Sequence, residues 1–182
     1  RHSAPAYYCS IAVCLLLLLV LPTTSGAQYF GRNKVQFRTF DFQVLATDHF
    51  DIYYYPEEAE AARIVARMAE RWYSRLSRFF THELRGRQPL VLYATPTHFR
   101  QTNAVEGAIG EGTGGLTEAL KRRIVLPMAG SLADTDHVLG HELVHAFQFD
   151  ITGNDPREVE FSLPDILQYP LWFAEGMAEY LS

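Results

Sequence analysis

The stretch "HVLGHELVHAFQFD" (137–150) contains the pentapeptide His141-Glu142-Leu143-Val144-His145. On a helix, side chains four apart share a face with Cβ atoms roughly 5–6 Å apart, so two imidazole nitrogens can converge on one ion. Glu142 stands one position round the helix from the first histidine, where it cannot share as a ligand but can reach a water on the ion. Catalytic zinc takes three protein ligands and leaves one position open, so a third donor has to come from elsewhere in the chain. "WFAEGMAEY" (172–180) offers two carboxylates, Glu175 and Glu179, four residues apart on one helical face. Trp172 and Phe173 would anchor that segment in the core, and Gly176 would let its backbone pass close to a neighbour. One carboxylate for the metal and one a turn away for a histidine N–H is the arrangement a metal centre and its supporting layer require.

The same residues admit a plainer account. Leu143, Val144 and Phe147 can bury the helix and leave the histidines at its edge, and Glu179 alone can be a solvated helix acid. His137 lies one turn before His141 on the same face, but no acid follows it as Glu142 follows His141, so it stays outside the ligand set.

The elements that must position these groups are legible in the periodicity. "VQFRTFDFQVLAT" (35–47) and "HFDIYYY" (49–55) alternate and are rich in aromatics, as two antiparallel strands would be. Pro56-Glu57-Glu58 opens a helix, and Ala61, Ile64, Met68, Trp72, Leu76 and Phe79 recur at steps of three or four, predicting a long amphipathic helix to about Phe80 whose apolar stripe is core. "PLVLYAT" (89–95) predicts a buried strand and "TPTHFRQTN" a short helix capped by Thr95 or Thr97. A glycine-rich loop leads into a hairpin near Leu116–Leu120 and Arg123–Leu126; no helix with Lys-Ser/Thr follows the glycines, so they form no phosphate-binding loop. Asp134 can cap the helix that carries the histidines, expected over Thr135–Phe149, and a last helix starts near Leu171.

Composition bounds the function. The 182 residues suffice for one domain with a sizeable core, at 48% hydrophobic and 13% aromatic content. Net charge is −5 and the longest basic run is Lys121-Arg122-Arg123, which leaves no electrostatic footprint for nucleic acid. "IAVCLLLLLVL" (11–21) followed by "PTTSGAQ" is built like a secretory signal peptide, with cleavage expected before Gln28. The apolar run falls short of the roughly 20 residues a membrane span needs, so no stable span is expected after cleavage. Cys9 and Cys14 both lie in this segment, leaving a thiol-free mature chain, 28–182, that is exported to the periplasm or beyond.

H-E-x-x-H on one helix followed by W-x-x-E-G-x-A-x-Y on another resembles the gluzincin metallopeptidases, the HExxH zinc proteases of clan MA. The chain is especially similar to secreted bacterial members whose metallopeptidase domain is often followed by a β-propeller. The resemblance runs through the order of elements in the whole mature chain, though only the two helical motifs are specific. It implies an α+β, zincin-like fold, with a mixed or antiparallel sheet packed on a long helix and on the active-site helix. It implies Zn2+ on His141, His145 and Glu175, Glu142 as general base, Glu179 orienting His141, and a peptide or protein substrate added as a strand along Gly114–Ala119. Two departures stand out: a longer spacing between His145 and Glu175, taken as a loop inserted beside the cleft, and a chain ending at Ser182 before the second subdomain that supplies the family's oxyanion donor. The domain is therefore expected to be truncated at its C-terminus, and neither Tyr169 nor Tyr180 is assigned that role. The alternatives are a non-catalytic zincin-fold docking module of a larger envelope protein, and a zinc hydrolase acting on a non-peptide amide or ester.

Overall fold

The aromatic-rich stretch 35–55 does pair antiparallel, over a shorter span than the alternation suggests. In the computed structural model, which describes residues 36–102, 114–118, 121–128, 130–152 and 170–182, β1 (Gln43–Ala46) lies antiparallel to β2 (Phe50–Tyr54). Among the described residues, 36–42 have no strand partner. The buried side chain of Gln101 supplies hydrogen bonds that a neighbouring strand would have given, accepting from Phe37 N at 3.3 Å and donating to Arg38 O at 2.8 Å. The expected signal segment and the inserted loop after His145 lie outside the described residues.

A 3₁₀ turn at Pro56–Glu58 leads into α1 (Ala59–Phe80), which carries the chain over the sheet to β3 (Gln88–Tyr93). Because β3 runs parallel to β2, no tight turn could join them, and the long helix is the crossover. Next come the short helix α2 (Pro96–Phe99), capped by Thr95 as expected, and the antiparallel hairpin of β4 (Leu116–Glu118) and β5 (Arg123–Pro127). The helices α3 (Leu132–Ile151) and α4 (Leu171–Leu181) complete the described chain. The sheet is mixed, in the order β1-β2-β3-β5-β4, so the described residues form an α+β fold with five strands. No described helix is long and apolar enough to cross a membrane.

Strand alternation divides the apolar residues between two layers. Phe50, Ile52, Leu90, Leu92, Ile124 and Leu126 face α1 and α3, where they pack with Val65, Leu76, Leu139, Leu143 and Phe147 in the main core. Tyr55, Tyr93, Phe99 and Val125 form a smaller cluster with Phe40 and Phe42, the Phe40 ring stacked on Tyr55 at 4.7 Å.

Two helical assignments need correction. The buried seam of α1 runs through Ala62, Val65, Ala69, Trp72 and Leu76: Trp72 and Leu76 lie on it as expected, the first half is shifted one position from Ala61, Ile64 and Met68, and Phe79 is 58% exposed. The small side chains of Ala62 and Ala69 centre the first half of the seam, with Met68 packed against the core from its edge. The cap of α3 is Ser131, one turn earlier than expected: Ser131 Oγ accepts from Asp134 N and the Asp134 carboxylate accepts from Ser131 N, a reciprocal capping box.

Close packing sets the position of α3. A Cβ at Gly140 would stand 2.7 Å from the Trp72 ring, so only glycine lets α3 lie against α1 there. Trp72 is held by its indole N–H donating to Asp136 at 3.0 Å. At the far end of α3 the fully buried Asp150 side chain meets His82 at 2.7 Å, Arg85 at 3.1 Å and Arg122 at 2.5 Å, pinning the helix to the segment after α1 and to the hairpin.

Candidate metal centre

His141 and His145 project from one face of α3 because helical periodicity puts positions four apart in line, while Leu139, Leu143, Val144 and Phe147 bury the other faces. The centre therefore lies at the margin of the core. The His141 and His145 side chains keep 21% and 12% of their surface, enough for a fourth partner to approach.

Helix α4 brings the carboxylates across. Its buried face is Ala174, Ala178 and Leu181, small enough to seat it closely on α3. The expected core anchors point the other way: Trp172 is 74% and Phe173 42% exposed, and nothing lies within 4 Å of a Cβ built at Gly176. A close helix crossing is made by the two alanines, and bulky aromatics at that seam would have held α4 off.

The arrangement brings Glu175 Oε2 to 3.3 Å from His141 Nε2 and 3.4 Å from His145 Nε2, and the two Nε2 atoms to 3.2 Å from each other. These three residues are the set of potential metal donors found among the described residues. A tetrahedral ion with bonds of about 2.0–2.1 Å needs ligand atoms roughly 3.3–3.4 Å apart, and the observed triangle matches that edge on all sides. Two imidazoles and one carboxylate, with one side open, also form a donor set suited to zinc.

Glu179 stands farther off. Its Oε2 is 3.6 Å from His141 Nδ1 and 3.7 Å from His137 Nε2, so an exposed carboxylate is shared between two histidines at charge-pair distance. Burial lowers the pKa of His141, with the neighbouring His145 adding to the effect and Glu175 and Glu179 opposing it. The neutral imidazole this favours is the form that ligates metal.

Glu142 is absent from the triangle and buried, at 7% exposure. Burial pushes its carboxyl above the usual range, Thr117 and the neighbouring His145 pull it down, and Glu175 pushes it up. Thr117, on β4, places its hydroxyl 2.6 Å from Glu142 Oε2 and 2.9 Å from the Glu142 carbonyl oxygen. Gly115 makes the approach possible, since a Cβ there would be 2.4 Å from Leu126 and 3.1 Å from Glu142 Cγ.

Sequence patterning missed two residues at this centre, Thr117 and Gln148. Alternation in the predicted hairpin puts Thr117 on the face opposite Leu116 and Glu118, but nothing local says that this face meets Glu142. Gln148 had a visible signal: it is a polar residue in the apolar run "HAFQF", three positions after His145 and on its face. A cavity of about 440 Å³ lies on the other side of the sheet, lined chiefly by Phe42, Tyr53, Val91, Tyr93 and Val125, and shares no residue with the centre. No protein-family model matches the chain, and searches of curated proteins and of solved structures give no match either.

Proposed function

We propose that the chain is a secreted, zinc-dependent metallopeptidase domain of the gluzincin type, with a zincin-like α+β fold. The observation that carries this reading is the triangle of His141 Nε2, His145 Nε2 and Glu175 Oε2, with edges of 3.2, 3.3 and 3.4 Å. When bound there, zinc lowers the pKa of a water towards about 7 and polarises a carbonyl. His141, His145 and Glu175 hold the ion, and Glu179 restrains His141 from its Nδ1 side. Glu142 is the general base: it takes the proton of the attacking water and returns it to the leaving amine. Burial suits it to that role, because a carboxyl with a raised pKa holds a proton more firmly once taken. Thr117 keeps the carboxylate aimed. Among the described residues β4 pairs only with β5, so its outer edge is available for an extended peptide, in keeping with the expected Gly114–Ala119 platform.

Export, and a β-propeller following the domain, belong to the same proposal through the family resemblance. The competing proposal is a non-catalytic docking module; Leu171, Trp172 and Tyr180, 64%, 74% and 85% exposed on α4, favour it as an apolar surface beside the centre. Metal content decides first. The full chain, purified without chelator, should carry near-stoichiometric zinc by elemental mass spectrometry, and Glu175→Ala should be depleted. A folded parent without zinc would sink the peptidase reading in favour of docking. Zinc in the parent with no cleavage across panels of extended peptides and small amides would do the same.

A further inference from the structure

Gln148 is 3% exposed in the seam between α3 and α4. A buried primary amide has two donors and an acceptor to satisfy, and its orientation follows from what surrounds it. Gln148 Nε2 donates to the carbonyl oxygen of Ala174 at 3.1 Å. A carbonyl can only accept, so the amide cannot be turned round. Its Oε1 therefore faces His145, 2.9 Å from Nδ1. That oxygen also only accepts, so Nδ1 must carry the proton, and a neutral ring then has its lone pair on Nε2. Nε2 is the atom that completes the triangle with His141 and Glu175.

The same amide reaches the third donor. Ala174 immediately precedes Glu175, so the bond to its carbonyl fixes the height of α4 at the residue from which the carboxylate extends. We propose that Gln148 is the positioning residue of this centre: one buried amide sets the tautomer of His145 and holds the backbone of Glu175, so that donors from two helices stand at metal-binding separation before an ion arrives. The inference rests on the metal-centre reading above. It also separates the two histidines, since among the described residues His141 has on its Nδ1 side only Glu179 at 3.6 Å, a side chain 70% exposed and open to water. His145 is the rigid ligand and His141 the adjustable one. The pattern to associate with this arrangement is H-E-x-x-H-x-x-Q, in which the glutamine supports the second histidine and the incoming helix together.

The test uses the full chain and Zn2+ alone. In the metal-free protein, nitrogen NMR of the imidazole rings should find His145 with its proton on Nδ1, opposite to the preference of a free histidine side chain, and Gln148→Leu should lose that preference. Zinc affinity, measured by competition with a chromophoric chelator, should fall about 10–100-fold in Gln148→Leu. Gln148→Glu keeps an acceptor for His145 while losing the donor to Ala174, and should recover at least threefold of the lost affinity. Leu139→Ala, a core truncation in α3 away from the imidazoles, controls for general loosening and should leave affinity within about twofold of the parent. If Gln148→Leu binds zinc like the parent while Glu175→Ala does not, the Gln148 inference is overturned and the metal centre stands. A shared loss in Gln148→Leu, Gln148→Glu and Leu139→Ala would equally overturn it, making Gln148 a packing residue. A parent that binds no zinc overturns the metal-centre reading and this inference with it.

Discussion

Replacing Glu142 by Gln should make the metal-free protein more stable and the zinc-loaded protein inactive, and the two effects have one cause. The carboxylate is buried at 7% exposure, and its ordinary charge at neutral pH is disfavoured by that burial and by the facing Glu175. Glutamine has the same shape and still offers Thr117 an acceptor at the position now 2.6 Å away, so only the charge is removed. Stabilisation of about 0.5–2 kcal/mol at pH 7 is expected, in the usual range for relieving a strained functional position. Because the folded-state pKa is raised, the parent's stability at Glu142 is fully present below the unfolded value of about 4.3 and is lost as pH rises towards the folded pKa. The advantage of the variant should accordingly be absent at pH 4, open as pH rises above that, and level off. Turnover should fall by about 10²–10⁴, or roughly 3–5 kcal/mol of transition-state stabilisation, with zinc content unchanged. Urea denaturation in chelator from pH 4 to 8 gives the first quantity, and peptide hydrolysis with elemental analysis gives the others. A variant that is less stable than the parent at pH 7 would refute the electrostatic account, and one that still cleaves at the parent's rate would remove Glu142 from the chemistry.

Thr117→Val deletes the hydroxyl whose hydrogen bond lowers the Glu142 pKa, so the acid limb of the kcat/KM profile should move to higher pH; an unmoved limb would mean that Thr117 does not act on the base. Asp150→Asn removes the charge that faces His82, Arg85 and Arg122 and should cost about 3 kcal/mol by urea denaturation, at the low end for a broken buried pair because the two arginines regain water. Burial raises the Asp150 pKa, but the bonds from His82 and Arg85 and the charge of Arg122 outweigh it and hold the carboxyl below its usual range. Its stabilisation is thus present above about pH 4 and lost as pH falls further, so the gap to the variant should narrow there, and a pH-independent gap would contradict this. Gly140→Ala puts a Cβ 2.7 Å from a Trp72 ring that Asp136 holds in place, and should cost about 1–3 kcal/mol; a neutral result would show that α1 and α3 can part without penalty.

Features that depend on neighbours within a few residues could be read directly from the chain. The facing of His141 and His145 follows from the helical repeat, the Thr95 cap and the β4–β5 hairpin follow from local turn and cap chemistry, and β1 and β2 pair across a short polar break. The shift of the α3 cap to Ser131 shows the limit of such reading, since Ser131 and Asp134 form one box and either could be taken for its first member. The first half of the α1 stripe is displaced by one position, while Trp72 and Leu76 hold, for a related reason: 3.6 residues per turn names a face but not its centre, which is set by the sheet that α1 meets.

What the chain alone determined is a helix presenting two imidazoles in line and a second helix with acids at the right interval. Only the tertiary structure decided that α4 would seat on Ala174 and Ala178 with Trp172 and Phe173 turned outward, because periodicity cannot choose between an aromatic face and a small-residue face when both recur. The parallel order β2-β3-β5 likewise joins strands that are distant in sequence, and no local pattern encodes which edges meet. Thr117 and Glu142 are 25 positions apart in the chain and Gln148 and Ala174 are 26 apart, separations at which side-chain chemistry gives no forecast of contact. Distances of 3.2–3.4 Å among three donors from two helices are a property of that packing, and packing is settled by every close contact in the core at once.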